Sequence, residues 1–363
     1  MNTLSATTLF VPRIPQLQNL ADAGIATDSK FADTRTALQS LLAELRQSLV
    51  AADRMALASR GRLPESEAVQ LPLLLGRFAA RLNELVGDAA GLDTAAVDFL
   101  GALAHAELLP WLSMTDTADR VYAKPRGYAG DFYSIERIYQ NQPGGTGRLG
   151  VALDQCFLAL PAAQAVRNRR GLLQSMIESC LQRHGKGPLR VMSLACGPAT
   201  EIFDTYGSLP EPARLLSTLL DVDRQALAFV SAKSQTAGLQ SWITPLRGNL
   251  LALATGRQQL PPLLEQHLIY SIGLIDYFDD AQVIALMNLA HQWLAPGGRL
   301  VLGNFHPRNP SRALMDHVLH WRLIHRSEED MHRLYLASRF GKPATRIEFE
   351  AQGINLFAEC QKS

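Results

Sequence analysis

The chain has 363 residues, a formal net charge of +1 and 47% hydrophobic residues. That length suits two domains, or one domain with a large extension, and the composition is that of an ordinary globular protein. A nearly neutral chain gives no electrostatic reason to expect a nucleic-acid partner, and we find neither a membrane-spanning apolar run nor a signal sequence. The four cysteines form no C-x-x-C pair, so we predict reduced thiols and a cytoplasmic protein without a membrane partner.

The first third of the chain is predicted to be helical. Residues 1–30 show no periodicity and form either a mobile arm or a segment that folds over the active site. Apolar residues then recur at helical spacing in 33–60, 65–86 and 93–109, and nothing alternates like a strand. We therefore predict a helical N-terminal domain over 1–145, which packs on the rest of the chain or forms a homodimer.

Residues 122–133 form the most unusual local stretch of this region. Its proline and two glycines predict a loop that carries three tyrosines, Arg126 and Asp131. One interpretation is a connector whose tyrosines pack between helices. The other is a lid that supplies aromatic walls and polar contacts to a ligand, with Arg126 able to hold a carboxylate through two hydrogen bonds.

A glycine-rich linker at 141–147 predicts a domain boundary, and a second domain over 150–363 begins with one long helix. Beyond it, strands alternate with helices, which predicts a mostly parallel sheet with helices on both faces. The predicted strands lie near 189–194, 215–221, 241–247, 267–272 and 299–305. The predicted helices lie near 199–206, 223–237, 279–294 and 310–326. Two short strands, 346–350 and 354–359, close the sheet as an antiparallel hairpin.

The first strand of this domain runs into a tight turn. The apolar run 189–194 breaks at Gly197-Pro198 and continues as a helix, with Pro198 in its first turn. Backbone N–H groups there lie beside the positive end of a helix dipole and attract an anionic or hydroxyl-rich cofactor. Asp221 ends the second strand 24 residues after Gly197, where a carboxylate can accept hydrogen bonds from ribose hydroxyls. We favour Asp221 for that role over Asp223, which suits the N-cap of the next helix.

The turn lacks the glycine pattern of dinucleotide-binding proteins. Ala195, Gly197 and Thr200 stand where that pattern has three glycines, so a nucleoside without phosphates fits better than a pyrophosphate. From about Gln155 to its end, the chain resembles the class I S-adenosylmethionine (SAM)-dependent methyltransferases. The resemblance implies a Rossmann-like α/β fold and SAM as the cofactor. Ser193 is a departure, because the family usually has an acid at this position, and it bears on how the methionine ammonium is held.

The same resemblance, together with the positions of strand ends, predicts the cofactor-binding residues. Asn249 follows the third strand, where the family often contacts adenine, although Gly248-Asn249 is equally well explained as a simple turn. The predicted set is Ala195, Cys196, Gly197, Pro198, Glu201, Asp221, Val222, Gly248, Asn249, Leu250, Ser271, Ile272, Gly273 and Asp276.

The string Lys-Pro-Arg-Gly-Tyr-Ala-Gly-Asp at 124–131 resembles a narrower group. This group comprises methyltransferase-like proteins linked to the methyl ester of 3-hydroxypalmitic acid, and a related branch of azetidine-2-carboxylate synthases that cyclise SAM. The resemblance favours the lid interpretation. The candidate catalytic residues are Tyr128, Asp131, Tyr277 and His306. The candidate substrate-binding residues are Tyr122, Arg126, Tyr133 and Asn304. The histidines on the predicted helix 310–326 lack further ligands nearby, and we expect no metal site.

We therefore expect a SAM-dependent transferase for a small molecule, most favourably one that methylates a carboxylate or hydroxy-acyl acceptor in secondary-metabolite or signal biosynthesis. A carboxylate is already ionised, whereas a hydroxyl or amine acceptor would need a general base. Two alternatives stay open. One is a SAM cyclase that forms azetidine-2-carboxylate and methylthioadenosine by attack of the methionyl amine. The other is a SAM-binding protein without catalytic activity.

Overall fold

The computed structural model describes residues 29–263 and 265–363. The predicted arm or lid at 1–30 lies outside these residues, except for Ser29 and Lys30, which begin the first helix.

Within the described residues, seven α-helices precede the sheet. They are α1 (Ser29–Ala58), α2 (Glu65–Val86), α3 (Thr94–Leu112), α4 (Thr117–Ala123), α5 (Phe132–Gln140), α6 (Gly150–Ala159) and α7 (Pro161–Arg183). The single long helix predicted after residue 150 is thus two helices. Pro161 explains the break, because proline disfavours helical backbone at the residue before it and lacks an N–H to donate. Leu160 accordingly has extended dihedral angles (φ −59°, ψ 145°).

The helix α3 is long and apolar enough to cross a membrane by length and composition. The expectation that no segment reaches this composition was therefore wrong for residues 94–112. Several of its residues, including Phe99, Leu100, Ala104 and Leu108, are buried in the helical core. This packing accounts for the apolar composition of α3 by contacts within the chain.

The C-terminal half contains a seven-stranded sheet in the order β3-β2-β1-β4-β5-β7-β6. The strands are β1 (Leu189–Leu194), β2 (Leu215–Asp221), β3 (Ile243–Arg247), β4 (Gln266–Ser271), β5 (Leu294–Phe305), β6 (Arg346–Phe349) and β7 (Asn355–Gln361). The first five are parallel, and β7 runs antiparallel between β5 and β6. The helices between them are α8 (Thr200–Ser208), α9 (Arg224–Thr236), α10 (Leu250–Ala254), α11 (Asp280–Trp293) and α12 (Glu328–Ala337).

The sheet has an apolar core on each face. Val191 and Met192 are neighbours in β1, yet they belong to different cores, and Ile269 and Tyr270 of β4 divide in the same way. Strands buried on both faces read as continuous apolar runs, which is how the sequence revealed them. The prediction of an α/β, Rossmann-like sheet with an antiparallel C-terminal hairpin strand, preceded by helices, is confirmed.

Residues 310–326 were predicted to be a helix, and this prediction was wrong. Only a π-helical turn forms, at Leu314–Val318, and His320 then takes a left-handed conformation (φ 51°). The extended chain that follows buries Trp321 and Leu323. A left-handed residue ends a helix, and burial of these two apolar side chains offsets the lost helical hydrogen bonds.

One apolar core joins the helical region to residues 305–323 of the C-terminal half. It contains Ala118, Ile138 and Phe157 together with Phe305 and Trp321. The helical region is thereby fixed at the carboxyl end of β5, next to the ends of the other parallel strands. The domain boundary at 141–147 stays a prediction.

Candidate active site

A cavity of about 380 Å³ lies at the carboxyl ends of β1, β2 and β4, beneath the loop 122–131. In open α/β sheets, ligands bind outside the carboxyl ends of the strands, where the strand order reverses. Ten of the predicted cofactor-binding residues line this cavity: Ala195, Cys196, Gly197, Pro198, Glu201, Asp221, Val222, Ile272, Gly273 and Asp276.

The turn after β1 is unusually twisted. Ala195, Gly197 and Ala199 all have left-handed backbone conformations, with φ of 55°, 52° and 49°. Pro198 lies within this turn and not in the first turn of α8, which begins at Thr200. The turn brings the N–H of Gly197 to the Asp221 carboxylate, at 2.9 Å from Oδ2. The N–H of Gly197 is therefore used to orient an acid and is not free to bind an anion.

Asp221 and Asp223 have different roles. The Oδ1 atom of Asp221 accepts a hydrogen bond from the N–H of Asp223 at 2.9 Å. Asp221 is 7% exposed and lines the cavity. Burial raises the pKa of Asp221. Asp223 caps α9 by accepting from the N–H of Gln225 at 2.8 Å. Of the two acids, only Asp221 lines the cavity, in agreement with the preference for it as ribose ligand.

Arg169 of α7 is the main cavity residue that the sequence did not reveal. It is 4% exposed, lines the cavity, and donates from Nε to the Tyr139 hydroxyl at 3.4 Å. Among the residues that the structure describes, no carboxylate lies within 4.0 Å of its guanidinium nitrogens. Gly273 makes room for it, because a Cβ there would lie 3.1 Å from Nη1. The sequence could have indicated Arg169 by its place on the apolar face of α7, three residues after Val166 and four before Leu173.

Two buried carboxyl groups face the same end of the cavity. Glu201 accepts a hydrogen bond from the Tyr270 hydroxyl at 2.7 Å, and burial raises its pKa. Asp276 accepts from the backbone N–H of Phe305 at 2.7 Å, and burial raises its pKa to about 6. Both acids lie near Arg169, because their charges raise its pKa against the effect of burial.

Aromatic side chains form one wall of the cavity, where Trp321 donates from Nε1 to the Tyr277 hydroxyl at 2.7 Å. Gly130 permits this arrangement, since a Cβ there would lie 2.7 Å from that hydroxyl and 3.2 Å from the Trp321 ring. Burial raises the pKa of Tyr128 to about 12 and also raises that of Tyr277. Both phenols stay protonated at neutral pH, so neither is suited to act as a general base.

The other two candidate catalytic residues lie outside the cavity. Asp131 is fully buried, caps α5 and pairs with Arg120 at 2.9 Å. His306 bonds Glu328 at 2.8 Å. Both side chains are occupied by structural contacts, and their predicted catalytic roles have no support in this geometry.

The candidate substrate-binding residues also make structural contacts. Arg126 pairs with Asp223 and Gln225 and so ties the loop to α9. Asn304 donates to the carbonyl groups of Phe305 and Ile324. Tyr122 packs against His105 and His320, and Tyr133 lies under the guanidinium of Arg120. None of the four lines the cavity.

Four predicted cofactor residues do not line it either: Gly248, Asn249, Leu250 and Ser271. Asn249 caps α10 by accepting from the N–H of Ala252 at 3.1 Å, which is the turn interpretation of this residue. The Ser271 hydroxyl donates to the carbonyl oxygen of Leu194 at 2.9 Å and joins β4 to the end of β1. These residues shape the sheet edge without facing the cavity.

Residues 127–356 match the model of a protein family described as "Putative methyltransferase". The chain belongs to this family. The match covers the second part of the loop and all of the sheet except most of its last strand, and the prediction of a methyltransferase is confirmed at the level of the family. The narrower resemblance to the 3-hydroxypalmitate and azetidine-2-carboxylate groups stays a prediction.

The chain is also similar to the uncharacterized protein YnbC of Escherichia coli K12, with 26% identity over 229 residues. The similarity covers 59% of this chain but 37% of that protein, so the chain spans little more than a third of its curated relative. Among solved structures, a possible exported protein from Bordetella parapertussis has 22% identity and a TM-score of 0.49, covering 81% of this chain and 96% of that one. Magnesium protoporphyrin IX methyltransferase from Synechocystis PCC 6803 with bound S-adenosylhomocysteine (SAH) has 14% identity and a TM-score of 0.47, covering 68% and 100%. Similarity at these values carries no information about substrates.

Proposed function

We propose that the chain binds SAM in the 380 Å³ cavity and transfers its methyl group to a small carboxylate or hydroxy-acyl acceptor. The observation that carries this proposal is the distribution of charge in the cavity. Asp221 ends β2, whereas Glu201 and Asp276 lie close enough to Arg169 for their charges to raise its pKa against the effect of burial. SAM has ribose hydroxyls at one end and an amino-acid zwitterion at the other, so the donor and acceptor groups fit it.

At the ribose end, Asp221 would accept from the sugar hydroxyls. Each of its oxygens accepts one backbone N–H, from Gly197 or from Asp223, and retains lone pairs that face the cavity. These two bonds fix the orientation of the carboxylate before a ligand arrives. A preoriented acceptor loses little conformational entropy on binding.

At the zwitterion end, Arg169 would hold the methionyl carboxylate, because a guanidinium pairs with a carboxylate through two parallel hydrogen bonds. Glu201 and Asp276 would stabilise the ammonium. Burial raises the pKa of both carboxyl groups, and their hydrogen bonds and Arg169 offset this only in part. A bound cation would lower both pKa values again. This set supplies the acid that the chain lacks at Ser193.

The aromatic wall would face the sulfonium, whose charge is stabilised by ring faces by about 0.5–2 kcal/mol. Bound SAM supplies the electrophilic methyl group. The protein then has to orient the acceptor and exclude water. Asp131 and His306 lie outside the cavity, and the phenols of Tyr128 and Tyr277 stay protonated. The acids that line the cavity, Asp221, Glu201 and Asp276, would already be engaged by the ribose and the ammonium of SAM. An acceptor that is already an anion needs no base, and this favours a carboxylate.

One observation supports the cyclisation alternative. Glu201 and Asp276 have raised pKa values and lie where the methionyl amine would be, so either could accept a proton from it. The neutral amine nitrogen would then bond to its own γ-carbon as the bond from that carbon to sulfur breaks. The products would be azetidine-2-carboxylate and methylthioadenosine.

The test is to incubate the purified full chain with SAM, with and without a panel of hydroxy-acyl and aryl carboxylic acids, and to identify the nucleoside product by mass spectrometry. SAH that forms only when an acid is added supports methyl transfer. Methylthioadenosine without an acceptor, above the rate of spontaneous SAM decay, supports cyclisation. Binding of SAM without either product would refute both reactions and leave a SAM-binding protein.

A further inference from the structure

Tyr270 is a fully buried side chain of the central strand β4, and its hydroxyl reaches a cavity residue without lining the cavity itself. It lies beside Ser193 of β1 in the parallel register. Its hydroxyl donates to Oε1 of Glu201 at 2.7 Å. Burial, followed by the negative charge of Glu201, raises the pKa of Tyr270 well above its usual value, so the phenol stays a donor. The proposed function gives Glu201 a ligand and leaves Tyr270 without a role.

The carboxyl group of Glu201 is held at one oxygen atom. The bond from Tyr270 is the only hydrogen bond that this group accepts from another described residue, and no Lys, Arg or His nitrogen of the described residues lies within 4.0 Å of it. Glu201 is buried in the first turn of α8, where the helix dipole favours a carboxylate. Because Glu201 lines the cavity, Oε2 is available to a cationic ligand there.

Asp276, the other buried acid beside Arg169, is already balanced by more positive charge. Arg169 and Arg326 both lower the pKa of Asp276 against the effect of burial. Of the two acids, Asp276 also raises the pKa of Arg169 more than Glu201 does. Glu201 has only Arg169 as a described cationic neighbour, and the charge of Asp204 opposes its ionisation. A second cation in the cavity is therefore drawn to Glu201 more than to Asp276.

Groups from several elements face Glu201 and influence its ionisation. The described titratable groups that interact with it are Tyr139 of α5, Arg169 of α7, Cys196 of the turn after β1, Asp204 of α8 and Tyr270 of β4. Burial raises the pKa of Glu201, and the hydrogen bond from Tyr270 is the largest of the effects that lower it. Removing the Tyr270 hydroxyl therefore raises the pKa of Glu201 further and favours its neutral form.

We propose that Tyr270 is a positioning residue for the cofactor: its hydroxyl fixes the Glu201 carboxylate, and Glu201, not Asp276, binds the ammonium of the SAM amino-acid group. Tyr270 acts through Glu201 and does not touch the ligand. This inference rests on the proposed function, and it assigns to one hydroxyl group inside the sheet the selection of ligands that carry an α-amino group.

The test compares two ligands that differ only in the amino group: SAH, and the SAH analogue in which hydrogen replaces the α-amino group. Calorimetric titration of the wild-type full chain should show that SAH binds at least about tenfold more tightly, as expected for a charge-assisted contact. Glu201→Gln should remove most of this preference. Tyr270→Phe should reduce it by about threefold or more and leave the affinity for the analogue within about twofold.

The pH profile separates positioning from a merely structural effect. The preference for SAH needs an ionised Glu201, so Tyr270→Phe should lose it at a higher pH than the wild type does on titration from about pH 8 to 5.5. Tyr335→Phe is the matched control. Tyr335 is also a fully buried tyrosine outside the cavity, and its hydroxyl donates to the carbonyl oxygens of Leu300 and Ala358 at 3.0 Å. This variant should keep both the preference and its pH profile.

Three results would overturn this inference while SAH binding by the wild type keeps the proposed function. The first is equal binding of SAH and the analogue by the wild type. The second is a preference in Tyr270→Phe that equals that of the wild type or follows the same pH profile. The third is an equal loss of both ligands in Tyr270→Phe. A wild-type chain that binds neither ligand would refute the proposed function and this inference with it.

Discussion

Replacing Arg169 by methionine tests how the cavity would hold the amino-acid end of SAM. Arg169 is buried, and its one described hydrogen bond is the 3.4 Å contact with Tyr139. A ligand carboxylate would lose a charge-assisted hydrogen bond of about 1.5–3 kcal/mol. This predicts SAH binding that is roughly 10-fold to 150-fold weaker, at about 1.4 kcal/mol per factor of ten. The free energy of unfolding of the free protein should fall, because, against the effect of burial, Tyr139, Asp276 and Glu201 raise the pKa of Arg169 and so favour its charged form in the folded state.

Methylthioadenosine makes this test specific, because it shares the adenosine of SAH but lacks the amino-acid end. Calorimetric titration should show that Arg169→Met weakens SAH binding and leaves methylthioadenosine binding within about twofold. Arg170→Met is the matched control: Arg170 is the next residue of α7, pairs with Asp204 at 2.7 Å and lies outside the cavity. Equal weakening of the two ligands, or unchanged SAH binding, would refute the assignment of Arg169 to the carboxylate.

Three further predictions concern other residues of the cavity. Asp221→Ala should weaken SAH and methylthioadenosine alike, by about tenfold or more, and unchanged calorimetric affinity would exclude a ribose contact. Gly130→Ala should lower the free energy of unfolding by about 1–3 kcal/mol in urea, because its Cβ would meet the Tyr277 hydroxyl; an unchanged midpoint would contradict this. Asp276, with a pKa of about 6 instead of 3.8, is protonated more readily in the folded state. As the pH rises from about 4 to 6, the free energy of unfolding of the wild type should therefore fall by up to about 3 kcal/mol relative to that of Asp276→Asn. A difference that does not depend on pH would contradict this expectation.

The sequence predicted the fold where the signal is local. Strands β1 and β2 are apolar runs whose ends coincide with the prediction, because burial on both faces leaves no ambiguity about their extent. The helix α12 was missed although its N-terminus was readable, since Ser327 and Asp330 form a capping box. The false helix at 310–326 had helical spacing but is ended by His320 in a left-handed conformation, which only the tertiary packing of Trp321 explains.

The site was predictable where its residues follow strand ends. Gly197, Asp221 and Asp276 each come at or shortly after the end of a parallel strand, and all three line the cavity. Arg169 and Trp321 reach the same cavity from α7 and from the segment after the π-helical turn. Spacing along the sequence does not predict that these two side chains lie beside the strand ends, because tertiary packing sets how α7 and the segment after the π-helical turn lie against the sheet. The same limit explains why Arg126, an attractive carboxylate ligand by type, instead pairs with Asp223.

The surroundings of Ser193 bear on how the chain would hold the ammonium of SAM under the proposed function. Ser193 of β1 lies beside Tyr270 of β4 in the parallel register, and the Tyr270 hydroxyl reaches across to Glu201 at 2.7 Å. An acid at position 193 would therefore lie close to a second buried acid, and two carboxylates in a poorly hydrated site raise each other's pKa. Serine at 193 avoids this repulsion, and the negative charge available to an ammonium shifts to Glu201 and Asp276. The departure at position 193 is thus accompanied by acids elsewhere in the same cavity, which is the arrangement expected if a zwitterionic ligand is still bound.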